Sequence, residues 1–418
     1  MTAPYQRRVV LTGLGTISNL GHDVASTWKG LIEGRSGVGP ITAFEQDARW
    51  ATRIAGEVQD WNPADRLEHG EIKKMDRFSQ LGTWAAIEAM EDSGLDWEQG
   101  DPYRHGVVIG SGVGGIQTIE YYSGVLRDKG PNRLSPFTVP KLMVNAVAGN
   151  VSIRYNLRGV NSSPATACAT GGHALAEAYM FIATDQADFI LAGGAEAAVS
   201  SVCLSSFSAM RALSTRNDEP ELASRPFDRD RDGFVLSEGG AVLAVEQLEH
   251  AKARNANILA EIIGFGITGD ACHIAAPDAE GTGAKAAMKA AIAHAGISLE
   301  QVDYINAHGT STPLGDAAEV AAVKGLFGEH AYSLAISSTK SCTGHTLGAA
   351  GGLESIAVVK AIRSGVVPPT INLDHPDDGF DLNFVANEAQ EREINIALNN
   401  SFGFGGHNVS IAFAAFKD

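Results

Sequence analysis

The chain predicts an α/β fold built from a duplicated unit, and three observations carry that prediction. Strand-like and helix-like stretches alternate along the 418 residues, the pattern of sheets covered by crossover helices. Glycine, 47 residues in all, gathers directly after the strand-like runs, at Gly13 and Gly15, at Gly110, Gly112, Gly114 and Gly115, and at Gly193 and Gly194. Tight strand-to-helix turns need residues that tolerate positive φ or close packing. The third observation is an echo. Ala260-Glu261-Ile262-Ile263-Gly264-Phe265-Gly266-Ile267-Thr268 repeats the character of Val9-Val10-Leu11-Thr12-Gly13-Leu14-Gly15-Thr16-Ile17. Each is followed by a helix and then by a strand ending in a Gly-rich or His-Gly turn, which reads as an internal duplication.

Taken in order, a strand at Val9 to Thr12 leads to a helix near Val24 to Ile32 that Gly34 closes, and further strands follow at Gly106 to Gly110 and Ala187 to Gly193. Two insertions, Ile41 to Asp76 and Ser135 to Asn156, read as unpaired excursions suited to a substrate tunnel or a subunit interface. Ser214 to Gly239, with Arg225-Pro226-Phe227-Asp228 and Asp232-Gly233, reads as a long ordered loop. The polar, helical Glu249 to Asn257 marks the boundary between a first half, 1–255, and a second, 256–418.

Composition excludes several classes. At 44% hydrophobic the chain can bury a large core in two or three domain-sized units. No window approaches the roughly 18 apolar residues of a spanning helix. The stretch Met1 to Arg8 runs into the first strand without a signal-peptide core, so a cytoplasmic location is the expectation. Cys168, Cys203, Cys272 and Cys342 lie far apart with no C-x-x-C pair, which argues for free thiols and against zinc or disulfides. A net charge of −17 disfavours nucleic acid, and an acidic partner would need a local basic patch.

Chemistry concentrates in four places. Cys168 lies in Ser163-Pro164-Ala165-Thr166-Ala167-Cys168-Ala169-Thr170-Gly171-Gly172-His173, where an extended segment turns into a helix whose first amides and dipole favour an anion. A thiol held there should ionise more easily; the plain alternative is a buried, inert cysteine. His308 lies in Asn306-Ala307-His308-Gly309-Thr310-Ser311-Thr312-Pro313, at a strand end, where open α/β sheets place ligands. Pro313 can open a helix carrying Asp316 and Glu319. Lys340 precedes Thr343-Gly344-His345 in a second such turn, and Phe402-Gly403-Phe404-Gly405-Gly406-His407 offers a backbone donor beside an aromatic gate. Taken singly, His308 could be a structural histidine, Lys340 a surface lysine and the last segment a packed Gly-rich turn.

Together, and in this order, these motifs resemble the β-ketoacyl-acyl-carrier-protein synthases of the condensing-enzyme (thiolase-fold) superfamily, most closely the elongating type II enzymes. The resemblance spans nearly the whole chain. It implies a thiolase-like fold of two duplicated halves in α-β-α-β-α layering, a homodimer, and decarboxylating condensation of malonyl and acyl thioesters carried by acyl carrier protein. By the same resemblance Cys168 is the acylated nucleophile, with its own N–H and that of Phe404 as oxyanion hole. His308 and His345 stabilise the carbanion equivalent, and Lys340, paired with Glu319, orients the site. Thr310 and Thr312 hold the phosphopantetheine arm, with Phe402 beside it and Asp316 in support; Phe404 and Val113 gate the acyl pocket; Lys73, Lys74 and Arg211 dock the carrier. No cofactor is implied, though a structural cation near Asn306, Glu354 and Asn400 would be compatible. His407 stands where many bacterial relatives have Thr. His345 points to elongation, because priming relatives have Asn there and thiolases use a second cysteine.

Three rivals stand beside this reading. Gly110-Ser111-Gly112-Val113-Gly114-Gly115 matches a dinucleotide fingerprint, but no acidic residue closes a second strand about 20 residues on, where Tyr121 to Leu126 looks helical. A ketosynthase of a type II polyketide pathway shares every motif. A non-catalytic chain-length-factor-like subunit would lack the nucleophile that Cys168 supplies.

Overall fold

The computed structural model describes residues 7–417. The stretch 1–6, part of the N-terminal reading above, lies outside them. Ten strands form one continuous sheet: β1 (Val9–Ile17), β2 (His105–Gly110), β3 (Asn161–Ser162), β4 (Phe189–Glu196), β5 (Gly239–Gln247), β6 (Ala260–Gly269), β7 (Tyr304–Asn306), β8 (Ala335–Ser337), β9 (Ile396–Gly403) and β10 (His407–Ala414). Their spatial order is β8-β7-β9-β10-β6-β1-β5-β4-β2-β3.

That order is a palindrome in connectivity. Outward from the centre, β1 pairs antiparallel with β5, β5 antiparallel with β4, and β4 and β3 both run parallel to β2. The sequence β6, β10, β9, β7, β8 repeats the same senses. The halves join where Val9, Val10 and Leu11 of β1 pair with Ile262, Glu261 and Ala260 of β6, so the two echoed segments lie side by side.

Helices complete five layers. One outer layer contains α2 (Arg77–Ser93), which packs on β1, β5 and β4, and α4 (Ala146–Tyr155), which packs on β2; α1 (Val24–Ile32) flanks β1, and α3 (Ile116–Lys129) follows β2. The other outer layer contains α6 (Thr282–Ala295), on β6 and β10, and α7 (Pro313–Phe327), which packs against α6. Between the two five-stranded halves of the sheet lie α5 (Thr170–Ala183) and α8 (Ala350–Ser364), which touch strands of both halves and each other. The layering is thus α-β-α-β-α.

The duplication reaches single residues in this middle layer. Each middle helix is entered by a 3-10 turn, Ala167–Ala169 before α5 and Leu347–Ala349 before α8. Each turn opens on a non-glycine residue at positive φ, Ala167 at 50° and Leu347 at 45°. Overlaying the turns puts Gly348 at the position of Cys168 and Gly351-Gly352 at that of Gly171-Gly172. The glycine pairs meet backbone to backbone. A Cβ on Gly171 would lie 2.6 Å from the Gly352 nitrogen, and one on Gly351 2.5 Å from the Gly172 nitrogen. No side chain fits there, which accounts for four residues that lower helix propensity at two helix starts.

One expectation needs correcting. The stretch Ser135 to Asn156 is not an unpaired excursion: it holds a short helix, Thr138–Leu142, and then α4. Val147, Ala148 and Val151 of α4 are fully buried and belong to the core with Phe78, Leu81 and Val107. Its three apolar contacts per two turns are interrupted by Gly149 and Asn150, which masked the helical period. Ser214 to Gly239 is irregular, as expected, apart from a single 3-10 turn at Pro220–Leu222, and buries Phe227 and Asp228 completely.

A methyl group placed between the middle helices should be felt throughout. Gly351→Ala is expected to lose about 1–3 kcal/mol, the usual cost of overpacking, read as a lowered urea midpoint at unchanged slope. A midpoint equal to the parent's would show that the helices can part without cost.

Candidate active site

Five turns, two from the first half and three from the second, converge on a cavity of about 780 Å³ lined by Cys168, His308, His345, Phe402, Phe404 and Val113. Thr310, Thr312, Leu314 and Arg211 also line it. Strand ends and helix starts meet here because the turns after β2, β3, β7 and β8 and the hairpin after β9 all lie at this edge of the sheet.

Cys168 sits in the 3-10 turn ahead of α5 and is 7% exposed. The end of β9 presses on that turn so closely that a Cβ on Gly403 would lie 2.6 Å from the Thr166 carbonyl oxygen and 3.2 Å from the Cys168 nitrogen. The hairpin beyond it, Phe404-Gly405-Gly406, holds its glycines at φ 83° and 75°. The backbone N–H groups of Phe404 and of Cys168 both favour the ionised sulfur, as those of an oxyanion hole would. Burial nevertheless pushes the thiol up to about 12, against the pull of Lys340 and these two amides. The helix start therefore does not make Cys168 a resting thiolate, contrary to the expectation from its position, because desolvation outweighs the favourable dipole.

His308 is fixed from behind. Its N–H and that of Gly309 donate to Glu319 at 2.9 and 2.8 Å, and Asn400 adds a third hydrogen bond to the same carboxylate. Glu319 and Asp316 lie on α7, which Thr312 caps and Pro313 opens. Asp316 accepts the N–H groups of Ser311 and Phe227, tying down the rest of the loop. Lys340 is fully buried and pairs with Glu354 of α8, not with Glu319 as the resemblance implied; Glu319 is occupied by backbone amides. The second contact of the Lys340 ammonium is His308 Nδ1, at 3.4 Å. Accepting that hydrogen bond leaves the His308 proton on Nε2.

His345 lies edge-on to His308, ring centroids 5.4 Å apart, with Phe234 on its other side at 5.4 Å. Its backbone is clamped by Val235 and Ser237, and both ring nitrogens are buried without a protein partner. Burial, then Lys340, hold both imidazoles well below the usual histidine range, His345 adding to the effect on His308. Two neutral donors thus face one cavity, and Phe402 packs 5.7 Å from the His308 ring.

The remaining candidates fall in place less evenly. The Thr310 and Thr312 hydroxyls are 3.0 Å apart. The Phe404 ring lies 6.3 Å from Phe207, a partner with no signal in the sequence. Arg211 is at the cavity, whereas exposed Lys73 and Lys74 do not line it, and Lys74 lies over the Phe137 ring. The Gly112 and Val113 amides of the dinucleotide-like turn are already taken by the Glu196 carboxylate, so no phosphate cradle remains. Among the described residues no group of three or more His, Cys, Asp or Glu could hold a metal.

Two family models cover the chain: the β-ketoacyl synthase N-terminal domain matches residues 6–251 and the C-terminal domain residues 259–374. The chain belongs to the β-ketoacyl synthase family. Its relatives include the 3-oxoacyl-(acyl-carrier-protein) synthase 2 of Coxiella burnetii, 52% identical over 99% of this chain and 100% of the relative, and that of Vibrio harveyi, 48% identical over 98% of each. Among solved structures, a β-ketoacyl synthase from Burkholderia phymatum is 35% identical with a TM-score of 0.92, covering 99% of this chain and 100% of that one. A type II polyketide ketosynthase solved with its acyl-carrier protein is 33% identical with a TM-score of 0.90, over 98% and 100%. The thiolase-like fold of these synthases is the one described above.

Because the native state of this β-ketoacyl synthase refuses protons at His308 and His345 while the unfolded chain accepts them near pH 6.5, both residues cost stability as pH falls below that value. The cost is about 1.4 kcal/mol per pH unit for each histidine. A His308→Asn/His345→Asn variant is expected to lose stability less steeply than the parent below about pH 6, by up to about 2.7 kcal/mol per unit. Urea titrations across that range check it; parallel curves would mean the imidazoles are charged in the fold.

Proposed function

We propose that the chain catalyses the decarboxylating condensation of malonyl-acyl carrier protein with an acyl chain parked on Cys168, giving 3-oxoacyl-carrier protein, carbon dioxide and free carrier in fatty acid elongation. The observation that carries this reading is the convergence of a nucleophile with two backbone donors and two neutral imidazoles on one cavity. Relatives at 48–52% identity named 3-oxoacyl-(acyl-carrier-protein) synthase 2 support this reading over polyketide synthesis, since the type II polyketide ketosynthase described above is 33% identical. The protein is an acyltransferase, and the presence of Cys168 speaks against a chain-length-factor role.

The residues divide the work. The Cys168 thiol attacks the acyl thioester, the carbon–sulfur bond to the carrier breaks, and the thiol proton is relayed through the cavity to the carrier sulfur, which departs as the thiol. The oxygen that becomes anionic meets the Cys168 and Phe404 amides. Malonyl-carrier then loses carbon dioxide, and the enolate oxygen takes hydrogen bonds from His308 and His345. The enolate carbon attacks the parked acyl group, the carbon–sulfur bond to Cys168 breaks, and the thiolate released takes up one proton from water, which restores the resting thiol. Lys340, anchored by Glu354, keeps the His308 proton on Nε2. Thr310 and Thr312, at the mouth, suit the polar phosphopantetheine arm.

Partners follow from surfaces. The neighbour solved with its acyl-carrier protein supports docking of an acidic carrier, here on Arg211 beside the mouth and on Lys73 and Lys74. The exposed apolar Tyr121, Leu134, Phe137, Val139, Met143 and Ile153 support a homodimer through this face. No helix among the described residues is long and apolar enough to cross a membrane. The buried oxygens of Asn306, Asn400 and Glu354 that lack protein partners fit a small hard cation; its part would be to hold Glu354, and thereby Lys340, in place.

The half-reactions should separate. Cys168→Gln is expected to abolish condensation yet release carbon dioxide from malonyl-carrier, since the imidazoles remain. His345→Ala should still acylate and then stall, with condensation down about 10²- to 10³-fold. Carbon dioxide release and intact mass read both, and a folded Cys168→Gln protein that cannot decarboxylate would overturn the assignment. Val113 stands between the cavity and a second pocket of about 480 Å³ lined by Ile119, Leu142 and Val144. Val113→Ala should therefore favour long acyl chains and Val113→Phe short ones; identical chain-length profiles would remove Val113 from the gate.

A further inference from the structure

A buried acid that this reaction does not use lies beneath the site. Glu196, the last residue of β4, is fully buried. One of its oxygens accepts the Ser111 hydroxyl at 2.6 Å and the Val113 N–H at 3.2 Å; the other accepts the Gly112 N–H at 2.8 Å and the Gly348 N–H at 3.0 Å. Space for it depends on glycine. A Cβ on Gly112 would come within 2.8 Å of Oε2, and one on Gly348 within 2.9 Å.

The duplication gives this arrangement a meaning. The eight residues of β4 and of β9 correspond end to end, so Glu196 overlays Gly403, the residue before Phe404. On the second half, the strand end presses on the Cys168 turn, a Cβ on Gly403 falling 3.2 Å from the Cys168 nitrogen, and the next residue, Phe404, supplies an amide that favours the ionised sulfur. On the first half, the equivalent strand end meets the equivalent turn, and the Gly348 N–H there donates to a carboxylate. We propose that Glu196 is a positioning residue: it fills, as a built-in anion, the duplicate of the oxyanion hole, and thereby latches the Val113 acyl gate to the Gly348 turn that follows His345.

Chemistry requires a carboxylate rather than an amide. Burial raises the Glu196 carboxyl, but all four donors favour its ionised form, and three of them are backbone N–H groups, which cannot accept. A carboxamide turned either way sets its NH2 against at least one of them, Val113 on one side or Gly112 and Gly348 on the other. The charge also acts on the nucleophile. After burial, which dominates, Glu196 is among the groups that raise the Cys168 thiol.

The test uses Glu196→Gln and the milder Ser111→Ala, which keeps the charge but removes one strand of the latch. The chain-length arm rests on the condensation reading; an alkylation arm does not. Iodoacetamide capture of Cys168 is followed against pH on its own peptide, because Cys272 is exposed and reacts separately. Acylation rates are compared for long- and short-chain acyl-carrier thioesters. Glu196→Gln should shift alkylation to lower pH and raise the long-to-short ratio roughly tenfold, the scale of one charge-assisted hydrogen bond. Ser111→Ala should raise the ratio by less and leave the alkylation profile alone. A Glu196→Gln protein that is merely less stable, with profile and ratio unmoved, overturns the proposal; if it does not fold, an unmoved ratio in Ser111→Ala does. A parent that alkylates normally yet never acylates would count against the condensation reading, while the alkylation shift would still decide the role of Glu196.

Discussion

The close approach of two helix starts at the centre of the molecule governs everything around them. Because α5 and α8 meet glycine to glycine, their entry turns lie within a few ångströms, and each turn presses on strands of the other half, the Ala167–Ala169 turn on β9 and β10 and the Leu347–Ala349 turn on β4 and β5. Cys168 enters on one turn and the His345 segment leads into the other. Any side chain at the contact would spread the turns apart. Backbone contact here thus replaces the side-chain interdigitation that sets most helix spacings.

Burial then sets the chemistry. With water excluded, both imidazoles stay neutral, the thiol stays protonated and Lys340 is held by the carboxylate of Glu354. Each of these is costly alone. They coexist because every charge that remains has a partner, and because backbone amides, which carry no net charge, do much of the holding at Glu319 and Glu196.

Much of this was legible in the sequence, for identifiable reasons. The echo of β1 in β6 revealed the duplication because the alternation of Gly and branched residues survives in both copies. Cys168, His308, His345 and Phe404 were found because each lies in a glycine-containing turn after a strand, a local signal. What escaped depends on distance in the chain. The partner of Lys340 is Glu354, one helical segment on, and a rule of local spacing gives no reason to prefer it over Glu319. Glu196 reads as an ordinary strand end, and its four donors come from two turns, at 111–113 and at 348. The helix α4 was lost because its buried face is short and broken by Gly149 and Asn150.

The protonated state of Cys168 has a consequence beyond the reaction. Peroxide and electrophiles attack thiolates, and a thiol pushed up to about 12 by burial presents almost none at rest. Reagents that need a thiolate therefore find little of one at Cys168, whereas Cys272 lies open to solvent. Burial that slows the thiol as a nucleophile slows it equally as a target of oxidation.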